Sequence, residues 1–168
     1  QFMETSSMMN HNISASGGTE KLRYRISGGY SETDGPLITN ADKYKRLNVS
    51  TFLSADVTDW FTQVVDIKYS QSNKTMPGYY SGNLYNTRLL SYYPEGTIGE
   101  AYGLEKEYPV NTPRNTILYG NNKHTKVNNP RIFLKSIVKP FKNFEAVFEY
   151  TFDKRDTQFD YYSGQYTY

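Results

Sequence analysis

Between residues 21 and 31 the chain reads KLRYRISGGYS. Leu22, Tyr24, Ile26, Gly28 and Tyr30 share one parity, and Arg23, Arg25, Ser27, Gly29 and Ser31 share the other. Successive strand residues point to opposite faces, so this spacing predicts a two-faced strand over 21–31. Five more runs behave alike. Residues 11–17 set Ile13 and Ala15 against Asn12, Ser14 and Ser16, and 46–54 set Leu47, Val49, Thr51 and Leu53 against Asn48, Ser50 and Phe52. Residues 61–72 set Val65, Ile67 and Tyr69 against Val64, Asp66, Lys68 and Ser70. In 131–139, Ile132, Leu134 and Val138 oppose Arg131, Lys135 and Lys139, with Phe133 and Ile137 breaking the pattern. The clearest run, 144–153, sets Phe144, Ala146, Phe148, Tyr150 and Phe152 against Glu145, Val147, Glu149, Thr151 and Asp153. Helix signals are nearly absent.

The connections alternate in length. Those near 17–20, 55–60 and 139–143 are short, whereas those near 31–45, over 74–130 and beyond 154 are long. Short turns at one end and long loops at the other are the pattern of outer-membrane barrels, whose strands need ~9–11 residues to cross at a tilt. The expected fold is therefore all-β: an antiparallel up-and-down transmembrane β-barrel segment. Trp60, Phe61, Phe141 and Phe144 beside the short turns, with Tyr30 and Tyr69 at the far ends, would form two aromatic girdles. A soluble β-sandwich also alternates polar with apolar and stays open as the second architecture.

Composition sharpens this choice. The hydrophobic share is only 37%, yet there are 17 tyrosines and nine phenylalanines, too many aromatics for a disordered chain. Mean hydropathy is -0.73 and no run approaches the ~20 apolar residues of a spanning helix, a test that strands escape because their lipid-facing residues are diluted by alternation. There is no cysteine, so neither a disulfide framework nor a thiolate metal site is available. A net charge of +2, with Lys and Arg scattered along the chain, argues against nucleic acid as a partner. Gln1 opens the chain without a signal peptide, so a mature secreted protein or a piece of a longer one is expected.

Residues 10–73 carry a recognisable succession. His11, Asn12, Ser14 and Ser16 to Thr19 make a strand and turn; Gly29-Tyr30, Asp34-Gly35, Arg46, Asn48 and Trp60 follow in order. This succession resembles the barrel of SusC/RagA-like TonB-dependent outer-membrane transporters. The stretch Gln63 to Asp66 departs from the glycine-containing pattern of that family, and beyond residue 74 the likeness thins to Asn129-Pro130 before a strand. The resemblance implies a bacterial outer-membrane location and a barrel of the 22-strand class with an N-terminal plug. It also implies a SusD-like surface lipoprotein partner, coupling to the TonB complex through the plug, and import of glycans or oligopeptides. About six strands and no plug are expected here, so the chain reads as part of a longer transporter, embedded in outer-membrane lipid. A soluble aromatic-rich carbohydrate-binding sandwich and a structural outer-membrane barrel remain the alternatives.

Catalytic patterns are missing. Glu145 and Glu149 share a strand face, but four residues of strand put them ~13 Å apart, beyond the range of glycosidase carboxyl pairs. Neither His11 nor His124 has a local ligand pattern, and the acidic residues near 153–160 lack the calcium-loop spacing. No enzyme activity, cofactor or metal is expected. Arg23, Arg25, Asp66, Lys68, Glu145 and Glu149 are expected to face the barrel lumen. Tyr79, Tyr80, Tyr92 and Tyr93, on the loop placed outside the cell, are the candidates for substrate contact through their amphipathic rings.

Overall fold

A computed structural model of the chain describes residues 3–38, 42–77, 97–98, 108–109 and 122–161. Among these residues the protein is all-β. Chain order runs β1 (Ser7–Gly18), β2 (Leu22–Asp34), β3 (Lys43–Thr58), β4 (Phe61–Pro77), β5 (Thr97–Ile98), β6 (Tyr108–Pro109), β7 (Asn122–Val138), β8 (Ala146–Asp153) and β9 (Asp156–Tyr161). One antiparallel sheet runs β1-β2-β3-β4-β7-β8, with β9 also on β7; β5 and β6 pair only with each other. With β5 and β6 set aside and β8 and β9 both on β7, the main sheet follows chain order, the up-and-down order expected from the alternating connections. No helix among the described residues is long and apolar enough to cross a membrane.

Tight connections gather at one end. Thr19 N–H donates to the Leu22 carbonyl (2.6 Å) to close β1 to β2, and Asp59-Trp60 alone join β3 to β4. A Cβ on Gly18 would stand 2.1 Å from the Leu22 carbonyl oxygen, so only glycine fits there. Asn143 turns β7 towards β8 with φ 69°, a left-handed conformation that asparagine tolerates. Lys139 N–H donates to the Trp60 carbonyl (2.7 Å), tying two of these turns together.

Strands β8 and β9 are two parts of one. Arg131 pairs with Asp153 and Asn128 with Asp156, so the register is common to both and is missed only across Asn129-Pro130 and Lys154-Arg155. Pro130 explains the gap. Its carbonyl accepts from Lys154 N–H (3.1 Å), so the N–H it lacks would have pointed the same way, at β8 and β9. The β4–β7 ladder on its other side runs unbroken. Asn129 repairs the loss: with its carboxamide oriented by its neighbours, the nitrogen donates to the Lys154 carbonyl (2.6 Å) and to Asp153 Oδ1 (3.0 Å). Six strand-lines therefore make the wall, as the alternation predicts.

Strand lengths differ from the sequence reading mostly at one end, although β3 also runs on through residues 55–58 of the expected short connection. The wall gains residues 7–10, 32–34, 43–45, 73–77 and 122–130, as well as β9, so the span between β4 and β7 shrinks from 74–130 to 78–121. These extensions are mostly polar on both sides, and their few apolar residues, among them Met8, Met9 and Phe159, do not alternate, which leaves no period in the sequence to read. At the other end β8 starts at Ala146, leaving Phe144 and Glu145 in the turn.

No core forms from the described residues. Of their large apolar side chains only Leu37 is buried, at 4% exposed. It sits where Met3 bridges the β2–β3 connection and its N–H donates to Asp42 Oδ1 (3.1 Å). Among the described residues the sheet is a single layer.

Candidate functional site

Because antiparallel partners share a face, the register assigns every side chain to one of two surfaces. One surface carries Tyr24, Leu53, Val65, Leu134 and Tyr150 in one row and Ile26, Thr51, Ile67, Ile132 and Phe152 in the next. These side chains are open to their surroundings: Ile13, Tyr24, Ile26, Phe148 and Tyr150 are 43–78% exposed. The polar residues that interrupt this belt satisfy one another. Ser136 Oγ donates to Gln63 Oε1 (2.6 Å), and Gln63 Nε2 donates to the Lys135 carbonyl (3.1 Å).

The belt has definite ends. At the tight-turn end Phe61, Val138 and Ala146 form its lowest row, beside Trp60 (5.9 Å from the Phe61 ring) and the Phe141–Phe144 pair (5.0 Å). At the other end stand Tyr30 and Tyr69, whose hydroxyls donate outward to Glu32 and to Asn128 Oδ1 (3.3 Å) respectively. From Val138 up to Asn128, which is level with Tyr30 and Leu47, is ten residues of β7. At ~3.3 Å per residue that run is ~33 Å long, measured along the strand.

Directly above, the same face becomes charged. Lys43 Nζ contacts Glu32 Oε1 (2.6 Å) and Asp34 Oδ1 (2.9 Å), and Lys45 Nζ reaches Glu32 Oε1 at 3.3 Å. Lys43, then Tyr30, hold the Glu32 carboxyl at about 2, well below its ordinary 4.5, while the two carboxylates push the Lys43 ammonium up. Sequence reading missed this cluster. Its signal was Glu32 and Asp34 at the parity of Tyr30, facing Lys43 and Lys45 at the parity of Leu47, but linking them requires the β2–β3 register.

The opposite surface is polar. Arg23, Arg25, Asp66 and Lys68 together line a hollow of about 820 Å³ with Ser16, Thr19, Ser27, Ser50 and Phe52. Asp66 pairs with Lys68 (3.0 Å), and Ser27 and Ser50 hydroxyls lie 2.7 Å apart. Glu149 stands on this surface too, paired with Lys135 (2.8 Å). Glu145 is separate: it lies in the turn before β8, pairs with Lys139 (2.8 Å), and lines a second hollow beside Trp60 and Phe144. Phe133 and Ile137 do stand on the polar surface, where the alternation leaves them. Tyr79, Tyr80, Tyr92 and Tyr93 lie outside the described residues.

Chemically, the arrangement separates an oily belt from a polar, charged surface. Among the described residues no three His, Asp or Glu side chains converge as a metal would require. No family model matches this sequence, and no curated protein matches it.

Proposed function

We propose that the chain is part of the wall of an outer-membrane import barrel of the SusC-like, TonB-dependent kind. One observation carries this: an antiparallel sheet whose one face is an exposed apolar belt about ten residues of strand long, bounded by aromatic rings at both ends. Strands tilted as in a barrel would make it match a lipid-facing band of ~25 Å. An apolar face of this size exposed to water marks an interaction surface or a membrane. A sandwich would cover it with a second sheet, and the only other sheet among the described residues is the two-residue pairing of β5 with β6.

The polar surface then faces the lumen. Its side chains bound the size of the barrel: Arg23, Arg25, Phe52, Lys68, Phe133 and Lys135 do not fit inside six closed strands, because even ~8 strands leave an interior only just wide enough for side chains. β1 and β8–β9 are unpaired with each other, and lipid does not tolerate open strand edges, so further strands complete the wall. The likeness of residues 10–73 to SusC/RagA-type barrels supports import, with glycans or oligopeptides as cargo, a SusD-like lipoprotein at the mouth and TonB as the energy source.

Peptide mass spectrometry of size-separated membrane and soluble fractions tests the reading. The peptide YRISGGYSETDGPLITNADK should appear in the outer-membrane fraction, in a band of transporter size that co-purifies with a lipoprotein. A soluble band near 19.4 kDa would overturn it.

A further inference from the structure

The first charged row above the belt holds Lys45, Asn73 and Lys126 on adjacent strands β3, β4 and β7. Lys45 and Lys126 are therefore two strand spacings, ~10 Å, apart at the backbone. The neighbouring acids are largely committed. Glu32 and Asp34 are both held by Lys43 at 2.6 and 2.9 Å, closer than Glu32 sits to Lys45 (3.3 Å). Asp156 pairs with Lys154 (3.0 Å), while Asp160, one row higher, accepts only from the neutral Gln158 carboxamide (3.3 Å) and stays the one unpaired acid beside Lys126 among the described residues. Lys126 has no ion partner among the described residues and is exposed; the Lys45 side chain is 44% exposed.

Two ammoniums flanking an exposed carboxamide, one row above Tyr30 and two above Tyr69, would sit at the height where a lipid leaflet carries its headgroups. We infer that Lys45 and Lys126, with Asn73 between them, form a docking surface for the phosphate of a membrane lipid headgroup. The inference rests on the belt being lipid-facing, since the same acyl chains must lie against Leu47 and Val49 below while the phosphate meets the lysines. Ammoniums at this level add attraction to anionic headgroups, and each flexible stem lets its charge follow a mobile phosphate.

The test uses the native membrane polypeptide carrying these residues, extracted in mild detergent and offered mixed micelles of phosphatidic acid or phosphatidylcholine. Native mass spectrometry counts the bound lipid. The wild type should retain phosphatidic acid in preference to phosphatidylcholine, and K45Q/K126Q should weaken that retention roughly ten- to thirty-fold. K74Q/K123Q removes two charges at similar height on the opposite surface and should change nothing. Equal retention of both lipids, an undiminished K45Q/K126Q, an equal loss in K74Q/K123Q, or full displacement by millimolar inorganic phosphate each overturns the inference while leaving a lipid-facing belt in place. A wild-type polypeptide that is soluble without detergent and retains neither lipid sinks the belt itself.

Discussion

At the scale of single residues, the chain compensates locally for what each side chain cannot do. Pro130 removes one ladder donor, and the Asn129 carboxamide replaces it at the Lys154 carbonyl (2.6 Å). Asn129→Ala should therefore cost about 1–2 kcal/mol, the penalty of a stranded backbone acceptor, and speed amide exchange across Asp156–Tyr161. In a Pro130→Ala background an N–H is back in the ladder, so the same substitution should cost markedly less. Equal costs in both backgrounds would refute the replacement. Gly18 makes a simpler case. The Leu22 carbonyl 2.1 Å from its would-be Cβ makes Gly18→Ala destabilising by about 1–3 kcal/mol, read as a lower midpoint in thermal or denaturant unfolding.

At the scale of elements, the hairpin of β2 and β3 joins an apolar half to a charged half. Its charged half has a pH signature. The Glu32 carboxyl is held at about 2 in the fold against an ordinary 4.5, so its contribution is fully present above 4.5 and is lost as pH falls towards 2. Protection factors for amide exchange at residues 32–34 and 43–45, corrected for the intrinsic pH dependence of exchange, should fall through that window in the wild type and fall much less in Glu32→Gln. The apolar half has a labelling signature. Because the chain contains no cysteine, single-cysteine variants are unambiguous reporters. Cysteines at Ile26 and Leu53 should be quenched by brominated lipid when fluorescently labelled, and those at Ser27 and Ser50 should react with a water-borne maleimide instead. A reversed pattern would mean that the polar surface faces lipid.

These halves also mark what the sequence made legible. Where one face is oily and the other wet, parity alone places Arg23, Arg25, Asp66 and Lys68 together, and they share one hollow. Above Tyr30 and Tyr69 both faces are mostly polar, the period vanishes, and residues 32–34, 73–77, 122–130 and 156–161 read as loop although they continue the strands. The Glu32–Lys43 cluster was hidden for a further reason: its members are eleven positions apart and meet only through hairpin register. The strand boundary at Glu145 differs for another reason: extending a clear alternation backwards by two residues ignored the turn that Asn143 imposes, although Glu145 still meets its register partner Lys139.

At the scale of the whole molecule, the rows run across all six strand-lines without slipping, from β1 to β8 and β9. The sole register shift among these pairings lies between Asp56 and Thr58, beside Val57, below the belt at the tight-turn end. The sheet thus behaves as a two-letter reading frame, in which odd and even positions spell different solvents. Gaining or losing one residue inside a strand inverts the message for everything after it, up to the next turn. Gaining two preserves it, and the loops are outside the frame altogether. Val57 is the position where a single extra residue has been absorbed without inversion. Descendants of this sequence should therefore differ freely in loop length, by even steps within the belt, and by single residues only around Val57.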